Sequence, residues 1–157
     1  MLSKRSLALA VAGFGALTCA APLTASAPVT GSGSGTIAVR EVTTIRQPGG
    51  NVIQERTLEG VVTGTLQGAF VDHVRGVIHK SGLITFHGTM TFTGAVAGCG
   101  SGTLTVGLTG TGTAGAPVTT TALHVIEHGR NTLPVHGIGT VHQVGASFTY
   151  HIRFHCE

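Results

Sequence analysis

Charge is what this chain has least of. Asp, Glu, Lys and Arg together make 10% of its 157 residues, aromatic residues make 4%, and there is no Trp. So few charges are ordinarily the mark of a membrane-embedded or low-complexity chain. Long apolar runs are missing as well: beyond the N-terminal segment none reaches the ~20 residues of a membrane helix. No basic stripe, RNA-reading motif or acidic tail is present, which speaks against nucleic acid as a partner. What is abundant is Gly and Thr. Thr suits the solvent face of a pleated sheet, so the composition points to a β protein with an uncharged outer surface.

The N-terminal segment reads as an export signal. Lys4 and Arg5 give it a basic start, Leu7 to Leu17 an apolar run too short to span a bilayer, and Ala25-Ser26-Ala27 a small-x-small cleavage pattern. Cys19 follows Leu17-Thr18, where a lipoprotein signal would want a smaller residue than Thr. The expected organisation is a signal peptide over 1–27, a flexible Gly/Ser linker over 28–35 (PVTGSGSG) and one domain over 36–157. Without residues 1–27 the chain carries seven Lys/Arg against six Asp/Glu, so the high whole-chain pI owes much to the signal. The expected location is extracellular. Two cysteines then remain, Cys99 and Cys156, and in an oxidising compartment a disulfide between them is the default, with a pair of inert buried thiols as the alternative.

The domain alternates with period two. From Ile84 to Val96 the even positions are Ile84, Phe86, Gly88, Met90, Phe92, Gly94 and Val96, against Thr85, His87, Thr89, Thr91 and Thr93. Leu104, Val106 and Leu108 oppose Thr103, Thr105 and Thr109 in the same way. Phe148, Tyr150, Ile152, Phe154 and Cys156 oppose Thr149, His151, Arg153 and His155. Val62, Leu66, Phe70, Val74 and Ile78 share a parity over a stretch too long for one strand, which predicts a turn near Gln67-Gly68. Phase is lost at Arg40-Glu41, where a bulge is expected. Turn signals at 48–51, 81–82, 98–101, 115–117 and 129–131 divide the domain into seven or eight antiparallel strands. Glycines recur on the inner face, where they let strands bend as a barrel closes. The expected fold is therefore all-β, a single antiparallel barrel of about eight strands, with a β-sandwich as the alternative.

Glu59-Gly60, Thr63-Gly64-Thr65-Leu66-Gln67-Gly68, Phe92-Thr93-Gly94, Gly102-Thr103-Leu104 and Gly137-Ile138-Gly139-Thr140 before a final Tyr150 strand resemble the allene oxide cyclase-like barrel proteins. Within them the chain is similar to an uncharacterised, often secreted bacterial branch. The resemblance covers roughly residues 36–156 and rests on glycine positions. It implies an eight-stranded antiparallel barrel with a partly apolar cavity, and it carries over no catalytic residue.

Chemistry-bearing residues are few. Asp72 shares parity with Phe70 and Val74, and Glu127 with Leu123 and Val125, so either carboxylate could enter an apolar interior, where its pKa would rise and it could act as general acid or base. Tyr150 is an inward residue, more readily core than catalytic. The nine histidines could share a metal only by cross-strand pairing, and the parity of His87, His151 and His155 turns them outward. No metal and no cofactor is therefore expected. Gly110-Thr-Gly-Thr-Ala-Gly115 matches a dinucleotide fingerprint in letters, but Pro117 follows where that motif needs a helix. No serine has an elbow context. The expected role is a secreted, non-enzymatic barrel that binds a small apolar ligand or acts at the cell exterior, without membrane insertion of the mature chain. The alternatives are an isomerase or cyclase of a lipid-like or terpenoid substrate, and a surface-interaction protein working through its Thr rows. Oligomeric state stays open.

Overall fold

The alternating segments are strands. Residues 27–116, 118–126 and 130–157 are described by a computed structural model, so the expected signal (but for its last residue), Cys19, Glu127 and His128 lie outside them. The strands are β1 (Val29–Arg46), β2 (Val52–Gly64), β3 (Leu66–Ile78), β4 (Leu83–Val96), β5 (Gly100–Thr113), β6 (Val118–Val125), β7 (Val135–Val144) and β8 (Ser147–Cys156), with a 3₁₀ turn at Pro48–Gly50. Each pairs antiparallel with the next, and β8 returns to β1, closing an up-and-down barrel of eight strands. Closure leaves no second sheet to pack against, so the sandwich alternative is not what forms.

The phase read from the sequence holds on the strongest strands. Phe92, Val96, Leu104, Val106, Leu108, Tyr150 and Phe154 are buried, while Thr89, Thr91, Thr93 and Thr109 are exposed. The phase slips at β1, where the register with β2 shifts between Val39 and Glu41, the expected bulge, and again between Thr44 and Arg46.

Two expectations are corrected. Residues 29–35 are not a linker: they are the first half of β1, paired with β8 from Val29↔Phe154 to Gly35↔Phe148 and with β2 from Gly33↔Gly64 onward. Their Gly/Ser composition has a packing cause. A Cβ on Gly33 would overlap the Tyr150 hydroxyl and the Thr63 carbonyl, and one on Gly35 the Phe148 ring. Phe70 lies over Gly60 and Phe86 over Gly110 in the same manner. Inner glycines thus seat aromatic rings on neighbouring strands as well as permitting curvature. The second correction is the turn expected at Gln67-Gly68. It falls at Thr65, next to Gly64 with φ 102°, and Val62 and Leu66 keep their inward parity on either side of it.

One end of the barrel is shut. The β6–β7 connection brings Leu133 into the core, and Cys99, in the β4–β5 turn, is bonded to Cys156 at the end of β8 with a Cα–Cα distance of 5.5 Å. The same connection covers the edge of β5 that β6 does not reach. Asn131 Oδ1 accepts the Thr105 amide at 2.8 Å, and Thr132 Oγ1 the Thr103 amide at 2.8 Å. Strand-edge amides left bare here would be open to strand addition.

Candidate functional site

The inward row of β3 runs Leu66, Phe70, Asp72, Val74, Ile78, apolar but for one carboxylate. β2 contributes Gln54, Arg56, Leu58 and Val62, and β4 contributes Ile84, Phe86, Met90 and Phe92. Between them and the far wall of Leu108, Thr121, Leu123, Val141, Phe148 and Tyr150 lies a cavity of about 210 Å³. It leads from the packed end toward the end bearing the β1–β2, β3–β4, β5–β6 and β7–β8 turns. Phe86, Met90 and Phe148 are only half-buried for this reason: they face the cavity.

Asp72 sits on the wall, 6% exposed. Opposite it stand Leu58 on β2 and Met90 on β4, neither able to hydrogen-bond a carboxylate. Oδ1 is buried with no partner. Desolvation pushes its pKa up to about 7, because an unpaired charge is disfavoured where water is excluded. Asp72 is thus where its parity placed it. A carboxyl that titrates near neutrality can donate a hydrogen bond from its acid form or take a proton in its ionised form.

Arg56 is the diagonal neighbour of Asp72, since Arg56 pairs with Val74 and Leu58 with Asp72. Its guanidinium is turned to Gln54 instead, with Nε and Nη2 donating to Gln54 Oε1 at 3.3 and 2.8 Å, and Gln54 Nε2 donating to Thr44 Oγ1 at 3.3 Å. Sequence reading missed this pair. The signal was there in the shared even parity of Gln54 and Arg56 with Leu58 and Val62, set aside because charged and amide side chains ordinarily face water.

Tyr150 forms part of the cavity floor and is 2% exposed. Its hydroxyl donates to the Thr63 carbonyl at 3.1 Å and accepts from the Leu66 amide at 2.7 Å, tying β8 to the β2–β3 turn. Burial raises the phenol pKa, against the opposing pull of the Leu66 and Thr65 backbone. With its proton committed to a backbone carbonyl, this hydroxyl holds structure. Glu127, the other carboxylate candidate, lies outside the described residues, and β6 ends at Val125, before the parity argument reaches it.

His87 and His151 are exposed, as their parity requires, and His151 faces Thr140 across β7. His155 is half-buried because its ring stacks on that of His136, centroids 5.3 Å apart, and His136 Nε2 is 3.1 Å from Glu157 Oε1. Among the described residues no group of three His, Cys, Asp or Glu side chains is placed to hold a metal ion.

No family model and no curated protein matches this chain. Among solved structures it is similar to a protein of unknown function from the DUF3224 family of Shewanella oneidensis MR-1. The likeness has a TM-score of 0.69 at 15% identity and covers 83% of this chain and 98% of that one. At such identity what is shared is the fold. The barrel implied by the allene oxide cyclase-like resemblance is present, and nothing among these comparisons ties the chain to those cyclases more specifically.

Proposed function

We propose that this is a secreted barrel that takes one small, mostly apolar molecule into its cavity and orients it by a hydrogen bond to Asp72. The observation that carries the reading is the Asp72 carboxyl, buried, unpartnered at Oδ1 and facing an otherwise largely apolar space. Cavities of ~150 Å³ hold benzene, whereas pockets for drug-sized ligands run ~300–1,000 Å³. At about 210 Å³ the interior suits a compound of one ring or a short chain. Export is supported by the N-terminal signal pattern and by the Cys99–Cys156 bond. An interior left partly open does not suit a barrel that works only through its outer Thr rows.

A second reading, an isomerase or cyclase, draws on the same carboxyl, whose pKa of about 7 fits proton transfer. Such a reaction also needs a donor for the oxyanion that develops. The Tyr150 hydroxyl has its proton bonded to Thr63, and the Arg56 guanidinium donates to Gln54. Binding is therefore the better supported reading.

NMR titration with benzene, cyclohexanone and cyclohexanol tests it, the methyl signals of Met90 and Leu108 serving as reporters. Expected is saturable one-to-one binding, weakened at least about tenfold in a folded Val74→Phe variant that fills the cavity. Unchanged binding in that variant, or none in the wild type, would overturn it. Running the cyclohexanone sample in D₂O separates the two readings: α-proton exchange abolished by Asp72→Asn would favour the enzyme.

A further inference from the structure

Four of the residues that line the cavity with Asp72 are phenylalanines, and the fifth aromatic is Tyr150. In a chain that is 4% aromatic this is a concentration, and it surrounds a carboxyl whose Oδ1 is buried without a partner. Phe70 is two residues before Asp72 on the same face of β3. Phe92 stands opposite Phe70 on β4, and Phe148 meets Phe70 edge-on, centroids 5.8 Å apart at 70°. Resting on the ligand-binding reading above, we infer that the natural occupant of this cavity is an organic cation, a small apolar amine whose ammonium pairs with Asp72 and whose carbon skeleton lies among the phenylalanine rings.

Charge balance decides the chemistry of the occupant. An ionised carboxylate without a partner is costly in an apolar interior, and truncated or missing partners leave that penalty in place. The cation best positioned to relieve it from within the chain is Arg56, and Arg56 is bonded to Gln54. The residues paired with Asp72 are Leu58 on β2 and Met90 on β4, and neither supplies positive charge. An anionic ligand would bring a second negative charge to the carboxylate. A neutral ligand would satisfy one lone pair and leave the charge. An ammonium neutralises it, donates up to three hydrogen bonds, and is attracted to the faces of aromatic rings in the desolvated space.

Calorimetric titration of the folded protein at pH 8 with benzylamine, benzyl alcohol and benzoate decides the point, because the three share a skeleton and differ in charge. Benzylamine should bind at least about tenfold more tightly than benzyl alcohol, and benzoate most weakly. Asp72→Asn should erase that preference and leave the benzyl alcohol affinity within about twofold, and Phe148→Leu should reduce the preference in part. Benzyl alcohol bound as tightly as benzylamine would overturn the inference while leaving the apolar-ligand reading intact. Benzoate bound best would overturn it and make Arg56 the recognition group. No binding of any of the three would sink both.

Discussion

Asp72 is a destabilising residue that the fold retains. In the folded protein burial holds its proton up to about pH 7, while the unfolded chain releases it near 3.8. Below that lower value both states are protonated. Between the two values only the folded state keeps the proton, so stability falls as pH rises and the loss levels off above 7. A displacement of this size corresponds to a loss of ~4 kcal/mol. Asp72→Asn should therefore outlast wild type in urea at pH 8, by ~2–4 kcal/mol, and show no such gain at pH 3.5. Parallel pH profiles of the two proteins would show that the carboxyl is not responsible. The inner glycines make a second test at the same scale. Gly33 has no room for a methyl between Thr63 O and Tyr150, whereas a Cβ on Gly76 would sit 3.5 Å from Phe86 and Thr85, ordinary contact. Gly33→Ala should cost ~3 kcal/mol or more in denaturant unfolding, and Gly76→Ala should stay within about 1 kcal/mol of wild type.

At the scale of the strand, β4, β5 and β8 were legible because apolar residues alternate there with Thr, His or Arg, and each buries mainly one parity. Asp72 was legible for the same reason, as part of a row with Phe70 and Val74. The first half of β1 was not, because Gly-Ser-Gly-Ser has the composition of a flexible tether. What makes it a strand is supplied by β8, whose Tyr150 and Phe148 fill the space above its glycines. No window on β1 alone contains that information. The turn at Thr65 was hidden in a similar way, since Val62 and Leu66 keep one parity straight through it. If the segment is a strand, deleting residues 28–35 should remove the pairing to β8 and open the barrel. The expected outcome is loss of a cooperative thermal transition and aggregation in size-exclusion chromatography. A deletion variant that melts as wild type does would restore the linker reading.

At the scale of the molecule, packing is uneven from end to end. The closed end holds the Leu104, Leu133, Val135 and Phe154 core together with the Cys99–Cys156 bond, and the open end holds the cavity. The disulfide closes a loop with a sequence separation of 57, worth ~4 kcal/mol on the chain-entropy estimate. Reduction should lower the thermal midpoint measurably, and amide exchange should quicken first at the Cys99 and Cys156 end. Unchanged exchange there after reduction would mean that the core alone holds that end.

The pairing of β1 with β8 has a consequence in time. β1 gains its second neighbour only when β8 is available, and the contacts between them, such as Val29↔Phe154, join the two ends of the domain. Such distant pairings slow folding, because the loop they close must be ordered before the contact forms. During synthesis the barrel cannot be completed until Phe154 has left the ribosome. Until then β1 has one neighbour instead of two, and the barrel stays open along the seam that β8 will close.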